Sequence, residues 1–140
     1  MSKKKLNVAV IGATGYTGLD LVYLLSKHPY VKIHNLCATK KIGKDISFFD
    51  KRIKKKLPKI SSINKIEWHN INLIFLSLPN GEAQKIINKT YHKYKHLRYI
   101  DLSADFRIVN PNIYKKNYKL NHKAKKLINS SIYAISELSK

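Results

Sequence analysis

An apolar run of strand length, Val8-Ala9-Val10-Ile11, leads straight into three glycines spaced three apart, Gly12, Gly15 and Gly18. A segment follows whose apolar residues Leu21, Val22, Leu24 and Leu25 fall at helical intervals. Strand, glycine turn and helix in that order present free backbone N–H groups at a helix N-terminus, a ready seat for a diphosphate. Gly12 lets the chain leave the strand in a tight turn. Gly15 holds no Cβ against an approaching phosphate, and Gly18 allows the helix to lie close to the strand. Thr14, Tyr16 and Thr17 fill the positions between them and complete a candidate dinucleotide site. The spacing is G-x-x-G-x-x-G, a variation on the plain G-x-G-x-x-G fingerprint, and a glycine-rich turn that binds nothing is the competing reading.

Beyond this unit the chain alternates strand-like and helix-like stretches. Pro29 ends the first helical pattern, because it pushes His28 toward an extended conformation. Residues Val31 to Ala38 read as a second strand. At the end of such a strand an NAD enzyme places an acid for the ribose 2′-hydroxyl. Here stand Thr39, Lys40 and Lys41 instead, a hydroxyl and two ammonium groups that suit a 2′-phosphate and point to NADP(H). Lys51 to Lys56 reads as a solvated connection, and Ser61-Ser62 as loop leading to a short strand that ends near Trp68. Asn72 to Leu78 is almost continuously apolar, as in a strand buried on both faces of a parallel sheet. A helix is predicted from Glu82 to about Tyr94, with Ala83, Ile86, Ile87 and Tyr91 on one face, and a strand over Leu97 to Leu102. Asn110-Pro111 reads as an N-cap and first helical residue. A short helix over Asn121 to Leu127 and a last strand-like piece over Ile132 to Ile135 complete the pattern.

The expected fold is therefore α/β, a Rossmann-like doubly wound parallel sheet, with residues 1–140 forming a single domain. Ligands of such sheets bind beyond the carboxyl ends of the strands. Three loops are thus expected to converge on one crevice: Gly12–Gly18, Leu78–Gly81 and Ser103–Arg107.

Composition bears on partners and compartment. The formal charge is +20, carried by 28 basic residues of which only Arg52, Arg98 and Arg107 are Arg. A field this positive attracts phosphates non-specifically. Yet the lysines are spread along the chain, Lys, Asn, Ile and Tyr are all over-represented, and no RNP strand, zinc-finger spacing or arginine stripe is present. A compositional bias that loads solvated faces with lysine is favoured over a specific nucleic-acid partner. No run approaches the ~20 apolar residues of a membrane span. The single cysteine, Cys37, fits a reducing cytoplasm and reads as a small apolar core residue.

Three other constellations carry less. His92 and His96 stand four apart and could share a metal, but a solvated helix face explains them better, and no metal site is expected. Tyr91-x-x-x-Lys95 imitates a catalytic pair of short-chain dehydrogenases by chance in a chain with nine tyrosines. Asp101 and Asp105 are expected to fix the Ser103–Arg107 loop by accepting hydrogen bonds from backbone or from Arg107.

With these loops in place, the chain resembles the N-terminal domain of the N-acetyl-gamma-glutamyl-phosphate reductases, within the semialdehyde dehydrogenase superfamily. The resemblance rests on Val8 to Gly18, His28-Pro29, Phe75 to Gly81, Ile100 to Arg107 and Tyr133 to Leu138, in family order. The Gly-Tyr-Thr-Gly turn and the Asp-Leu-Ser-Ala-Asp-Phe-Arg block are the specific parts. It departs from the family at Asn80, where His is usual, and at Ala134-Ile135-Ser136, where Gly-Leu-Pro is usual. The resemblance implies NADPH-dependent reduction of N-acetyl-glutamyl phosphate to the semialdehyde, in arginine biosynthesis. A cysteine thiolate attacks the acyl phosphate, the resulting thioester accepts hydride, and a histidine handles protons. It implies that Gly12 to Gly18 hold the cofactor phosphates, that Thr39 and Lys40 face the adenosine end, and that Pro79 and Ser103 lie near the nicotinamide. The family's Gly-Asn-Pro-Gly-Cys nucleophile and its histidine fall beyond residue 140, so this chain is expected to be the cofactor-binding part, truncated before the cysteine, with no catalytic residue of its own and no activity alone. The substrate would need the second domain, and the full-length enzyme would be a homo-oligomer. Alternatives are a non-catalytic NADP(H)-binding module, an aspartate-semialdehyde dehydrogenase type relative and, less favoured, a basic nucleic-acid-associated protein.

Overall fold

In the computed structural model of this chain, residues 5–135 are described. Five strands, β1 (Leu6–Ile11), β2 (Val31–Cys37), β3 (Ile60–Ser61), β4 (Leu73–Leu76) and β5 (Arg98–Asp101), form one sheet in the order β3-β2-β1-β4-β5. Every pairing is parallel. The helices are α1 (Tyr16–Lys27), α2 (Glu82–Thr90) and α3 (Pro111–Tyr118). The expected doubly wound α/β architecture is what forms.

Each face of the sheet has its own core. Val8 and Val10 of β1 point to the face covered by α1, where Val22, Leu25, Ile33, Leu36, Ile46 and Ile53 close the cluster. Ala9 and Ile11 point to the other face with Ile74, Leu76, Ala83 and Ile87, beneath α2. The central strand is therefore apolar at consecutive positions, as burial on both faces demands. In β2 the register slips, so that Val8 faces Ile33 but Ala9 faces Asn35. The extra residue, His34, makes a bulge that changes the parity of the strand. Ile33 and Leu36, three apart, consequently share one cluster.

Helix α1 buries Gly18, Val22 and Leu25, a stripe at helical spacing, while Leu24 is 64% exposed. The apolar run of four thus wraps past the edge of the buried stripe. Helix α2 stops at Thr90 rather than near Tyr94, and Gln84 and Thr90 are buried beside Ala83 and Ile87. Thr90 Oγ1 donates back to the Ile86 carbonyl at 2.8 Å, and Tyr99 O–H donates to Thr90 Oγ1 at 2.9 Å, which explains a polar residue at a core position. Helix α3 begins as expected: Asn110 Oδ1 accepts the N–H groups of Asn112 and Ile113, with Pro111 in the first turn.

Three expectations of local structure fail. The strand placed before Trp68 is Ile60–Ser61 itself, and Trp68–Asn70 is a 3-10 turn. The helix expected over Asn121 to Leu127 is a 3-10 segment shifted to Lys125–Ser130. Residues 132–135 are not a strand and are not part of the five-stranded sheet, and Ile132 is 92% exposed. Ser136, Glu137 and Leu138 of the last family-like block lie outside the described residues.

Candidate functional site

The glycine turn is built on the end of β1. The N–H groups of Gly12 and Ala13 both donate to the Cys37 carbonyl, at 2.9 and 3.0 Å, so the exit of β2 is fastened against the turn. Gly12 has φ of +87°, and a Cβ there would sit 1.9 Å from the Ser77 carbonyl oxygen. A Cβ on Gly18 would sit 2.1 Å from the Gly12 carbonyl oxygen. Both glycines are required by backbone packing. Gly15 differs: its φ is −75°, and its missing Cβ would have as nearest neighbour the Gly12 carbonyl oxygen at 3.6 Å, an ordinary contact. The protein itself does not need glycine there.

What Gly15 borders is the crevice. Gly15, Tyr16 and Thr17 line a concavity of about 250 Å³ with Ser77, Leu78 and Leu102. These residues stand at the carboxyl ends of β1, β4 and β5, where the switch in strand order opens a doubly wound sheet. Gly15 is the N-cap of α1 yet supplies no side-chain cap, and the first turn holds no acid. The N-terminal N–H groups and the positive end of the helix dipole therefore face the crevice uncompensated, which suits an anion. Tyr16 is 95% exposed beside it. Leu78 opens one of the three expected loops, whereas Ser77 and Leu102 were not singled out in the sequence, because an apolar run gives no sign of which residue stands at a strand's mouth.

The other candidate residues lie in the loops that follow the strands. Thr14 is half-buried within the turn, and Thr39 and Lys40 are exposed just past the end of β2. Lys41 adopts a left-handed backbone, φ 62°, and the chain then bonds to β3, where the Gly43 N–H donates to the Ile60 carbonyl at 2.8 Å and the Ile60 N–H to the Lys44 carbonyl at 2.9 Å. Pro79 is exposed at the mouth of β4. Ser103 is half-buried after β5, and its hydroxyl is committed: Oγ donates to Asp101 Oδ2 at 2.9 Å and accepts the Asp105 N–H at 3.1 Å. Burial raises the Asp101 carboxyl above its ordinary value, and the bonds from Ser103 oppose that shift.

Sequence reasoning had Asp105 accepting from its loop or Arg107. The structure sends it elsewhere. Asp105 is fully buried and accepts the N–H of Gly81 at 2.7 Å, the N–H of Gln84 at 3.0 Å and the Tyr114 hydroxyl at 2.7 Å. The Arg107 guanidinium lies instead over the Tyr133 ring, 5.6 Å from its centroid. Gln84, Tyr114 and His122, all buried, complete this cluster, and nothing in their spacing announced it. Asn80 Oδ1 adds a further tie by accepting the Ala104 N–H at 3.2 Å.

Cys37 is buried at the end of β2 with its thiol 3.8 Å from Ser61 Oγ, and burial pushes the thiol pKa up. It is placed and poised as an inert core residue. His92 and His96 do not share a helix face, since α2 ends before them; His96 Nε2 lies 3.2 Å from the Trp68 carbonyl oxygen. Among the described residues no three of His, Cys, Asp and Glu come together as a metal-binding group. Tyr91 and Lys95 follow the C-terminal end of α2, at the sheet edge opposite the crevice.

A parallel sheet in the order 3-2-1-4-5, with a glycine turn and an uncapped helix at the mouth of its first strand, defines a dinucleotide-binding domain. The family described as semialdehyde dehydrogenase, NAD binding domain, matches residues 7–140, and the chain belongs to that family. Over 136 residues it is 42% identical to the N-acetyl-gamma-glutamyl-phosphate reductase of Ehrlichia ruminantium (strain Gardel), covering 96% of this chain and 38% of that protein. It is 37% identical to the enzyme of the same name from Rhodospirillum rubrum, covering 98% of this chain and 40% of that one. The chain thus spans about two-fifths of the length of these relatives. An aspartate semialdehyde dehydrogenase from Candida albicans, solved with NADP, superposes with a TM-score of 0.57 at 23% identity, over 74% of this chain and 31% of that one. At that identity the likeness speaks for the fold. No helix among the described residues is long and apolar enough to cross a membrane.

Proposed function

We propose that this chain binds NADP(H) in the crevice at the mouth of β1, β4 and β5, as the cofactor-binding part of an N-acetyl-gamma-glutamyl-phosphate reductase. The observation that carries the reading is Gly15: a glycine the protein does not need, next to an uncapped helix N-terminus, beside an open concavity. A side chain there would obstruct a ligand and nothing else. Gly12 and Gly18 shape the turn, and the N–H groups of the first turn of α1, with Thr14, Tyr16 and Thr17, would hold the diphosphate. Thr39 and Lys40, exposed past β2, would meet the 2′-phosphate. Pro79 and Ser103 would flank the nicotinamide from either side of the crevice. Because the Ser103 hydroxyl proton is already given to Asp101, Ser103 would act there through its backbone and by holding its loop.

When bound, the cofactor supplies the hydride that reduces a thioester to an aldehyde. The nucleophile for such a thioester is not Cys37, whose buried thiol is held protonated, so the acyl phosphate would be attacked by the family's cysteine, expected beyond residue 140, with a second domain supplying the histidine. With that domain the protein would be a cytoplasmic homo-oligomeric enzyme of arginine biosynthesis, with no specific nucleic-acid partner.

Titration of NADPH fluorescence against the 140-residue chain tests the reading. Saturable binding is expected, with NADPH favoured over NADH, and Gly15→Asp is expected to abolish it while the fold is kept. Binding that survives Gly15→Asp unchanged would place the cofactor elsewhere. Steep salt dependence of DNA affinity with no nucleotide binding would favour the nucleic-acid alternative.

A further inference from the structure

Two helices start at the carboxyl edge of the sheet, because α1 follows β1 and α2 follows β4, and those strands are neighbours in it. Each has N–H groups with no partner inside the helix and the positive end of a helix dipole, so either N-terminus is a place for an anion. The fold treats them differently. The N-terminus of α1 is uncapped. That of α2 is filled from another loop by the carboxylate of Asp105, which takes the N–H groups of Gly81 and Gln84.

The rest of the cluster holds this anion in place. Gln84 Nε2 donates to the Tyr114 hydroxyl at 3.0 Å, which donates in turn to Asp105 Oδ1 at 2.7 Å, while the Lys123 N–H donates to Gln84 Oε1. Every hydrogen-bond partner of the carboxyl, the Gly81 and Gln84 N–H groups and the Tyr114 hydroxyl, is a donor, and the acceptor-only form of an Asp is the carboxylate. The backbone of the same residue is also fastened, its N–H donating to Ser103 Oγ and its carbonyl oxygen 2.7 Å from His122 Nε2. His122 Nδ1 accepts the Ala124 N–H at 3.1 Å, so Nε2 carries the proton it gives to Asp105. A fully buried charge with this many directed partners is costly to place and is not there by default.

Building on the NADP(H) reading, we propose that Asp105 is a positioning residue for the cofactor: an internal anion that occupies the N-terminus of α2, so that the cofactor phosphates are directed to α1 alone. By the same bonds it ties the turn after β4 to the loop after β5, and the residues just before these loops, Leu78 and Leu102, line the crevice opposite the glycine turn. Asp105 is buried and touches no ligand itself.

The test compares Asp105→Asn, Tyr114→Phe and Asp105→Ala by thermal melting and NADPH titration of the 140-residue chain. Asn keeps the shape and an acceptor oxygen but loses the charge; Phe keeps the charge on α2 and loses one donor. NADPH affinity is expected to fall about tenfold or more in Asp105→Asn, and to stay within about twofold of the parent in Tyr114→Phe, although both melt lower. In Asp105→Ala, sodium formate, whose carboxylate can replace the deleted one, is expected to raise the melting temperature by about 4 °C more than matched sodium chloride, and to restore NADPH affinity. A purely structural role makes affinity track melting temperature across the variants and gives formate no advantage over chloride; either result overturns the proposal. So does an equal loss of affinity in Asp105→Asn and Tyr114→Phe, a comparison that stands even if Asp105→Ala does not fold. Failure of the cofactor reading looks different, because the parent chain then shows no saturable NADPH binding while the formate effect on the Asp105→Ala melt persists.

Discussion

A Cβ on Gly12 or Gly18 meets backbone carbonyl oxygen at 1.9 and 2.1 Å, and neither neighbour can move without breaking the turn. On Gly15 the nearest atom is 3.6 Å away and the backbone is extended. Gly12→Ala and Gly18→Ala are therefore expected to cost of the order of 3 kcal/mol of stability. Gly15→Ala should cost under about 1 kcal/mol, the loss of a favoured N-cap residue, yet weaken NADPH at least about tenfold. Urea unfolding and fluorescence titration of the three variants separate these effects, and a destabilised Gly15→Ala that still binds would reverse the assignment. A second residue-scale expectation concerns Tyr114, fully buried, whose phenol is pushed well above its ordinary value of 10 by burial and then by its bond to Asp105. A phenol that holds its proton more tightly when folded stabilises fully below its unfolded pKa, and that stability is lost as pH rises through the folded value. The urea midpoint should decline above pH 10, and Tyr114→Phe, though less stable at neutral pH, should decline less steeply.

At the scale of elements, α3 shows a helix start written locally. Asn110 caps it and Pro111 pre-sets the first turn. Asn110→Ala should cost about 1 kcal/mol, or about 4 °C in the melting temperature of a domain this size, with no change in NADPH affinity. Helix α2 shows the opposite case, since its cap comes from a residue 24 positions on in the chain, and no local pattern reveals it. Strand β2 belongs to the same class: its alternation was legible, but the bulge that brings Ile33 and Leu36 to one face is set by pairing with β1. The strand expected over Ile132 to Ile135 had the right residues but is not one of the five strands of the sheet, and a strand forms only as part of a sheet.

For the whole molecule the dominant quantity is charge. Among the described residues the ion pairs are Arg52 with Asp20 and Asp50, and Lys85 with Glu82, against a formal net charge of +20. Most lysines thus repel one another across solvent, and exposed pairs of this kind contribute little. Added sodium chloride should raise the urea midpoint as the screening length shrinks from about 10 Å at 0.1 M to about 3 Å at 1 M. A midpoint that falls instead would mean that the few ion pairs outweigh the repulsion. The buried thiol of Cys37 gives a further check on the core: a thiol reagent should modify it at the rate of unfolding and much more slowly than a free cysteine.

The order of β1, α1, β2, β4, α2, β5 and α3, the glycine turn and the loops that follow those strands were written in the sequence, because each depends on residues adjacent in the chain. Apolar runs at period two or 3.6, glycines at fixed offsets and an Asn-Pro cap act locally, and they act the same way wherever they stand. What depends on neighbours in space was decided by the tertiary structure alone. That holds for Gly12 and Gly18 being needed by the backbone while Gly15 is not, for the commitment of the Ser103 hydroxyl to Asp101, and for Ser77 and Leu102 facing the crevice. It holds most for Asp105, whose partners Gly81, Gln84 and Tyr114 come from two separate segments. A buried carboxylate is tolerated only where enough donors meet it, and only the packed chain brings those donors together.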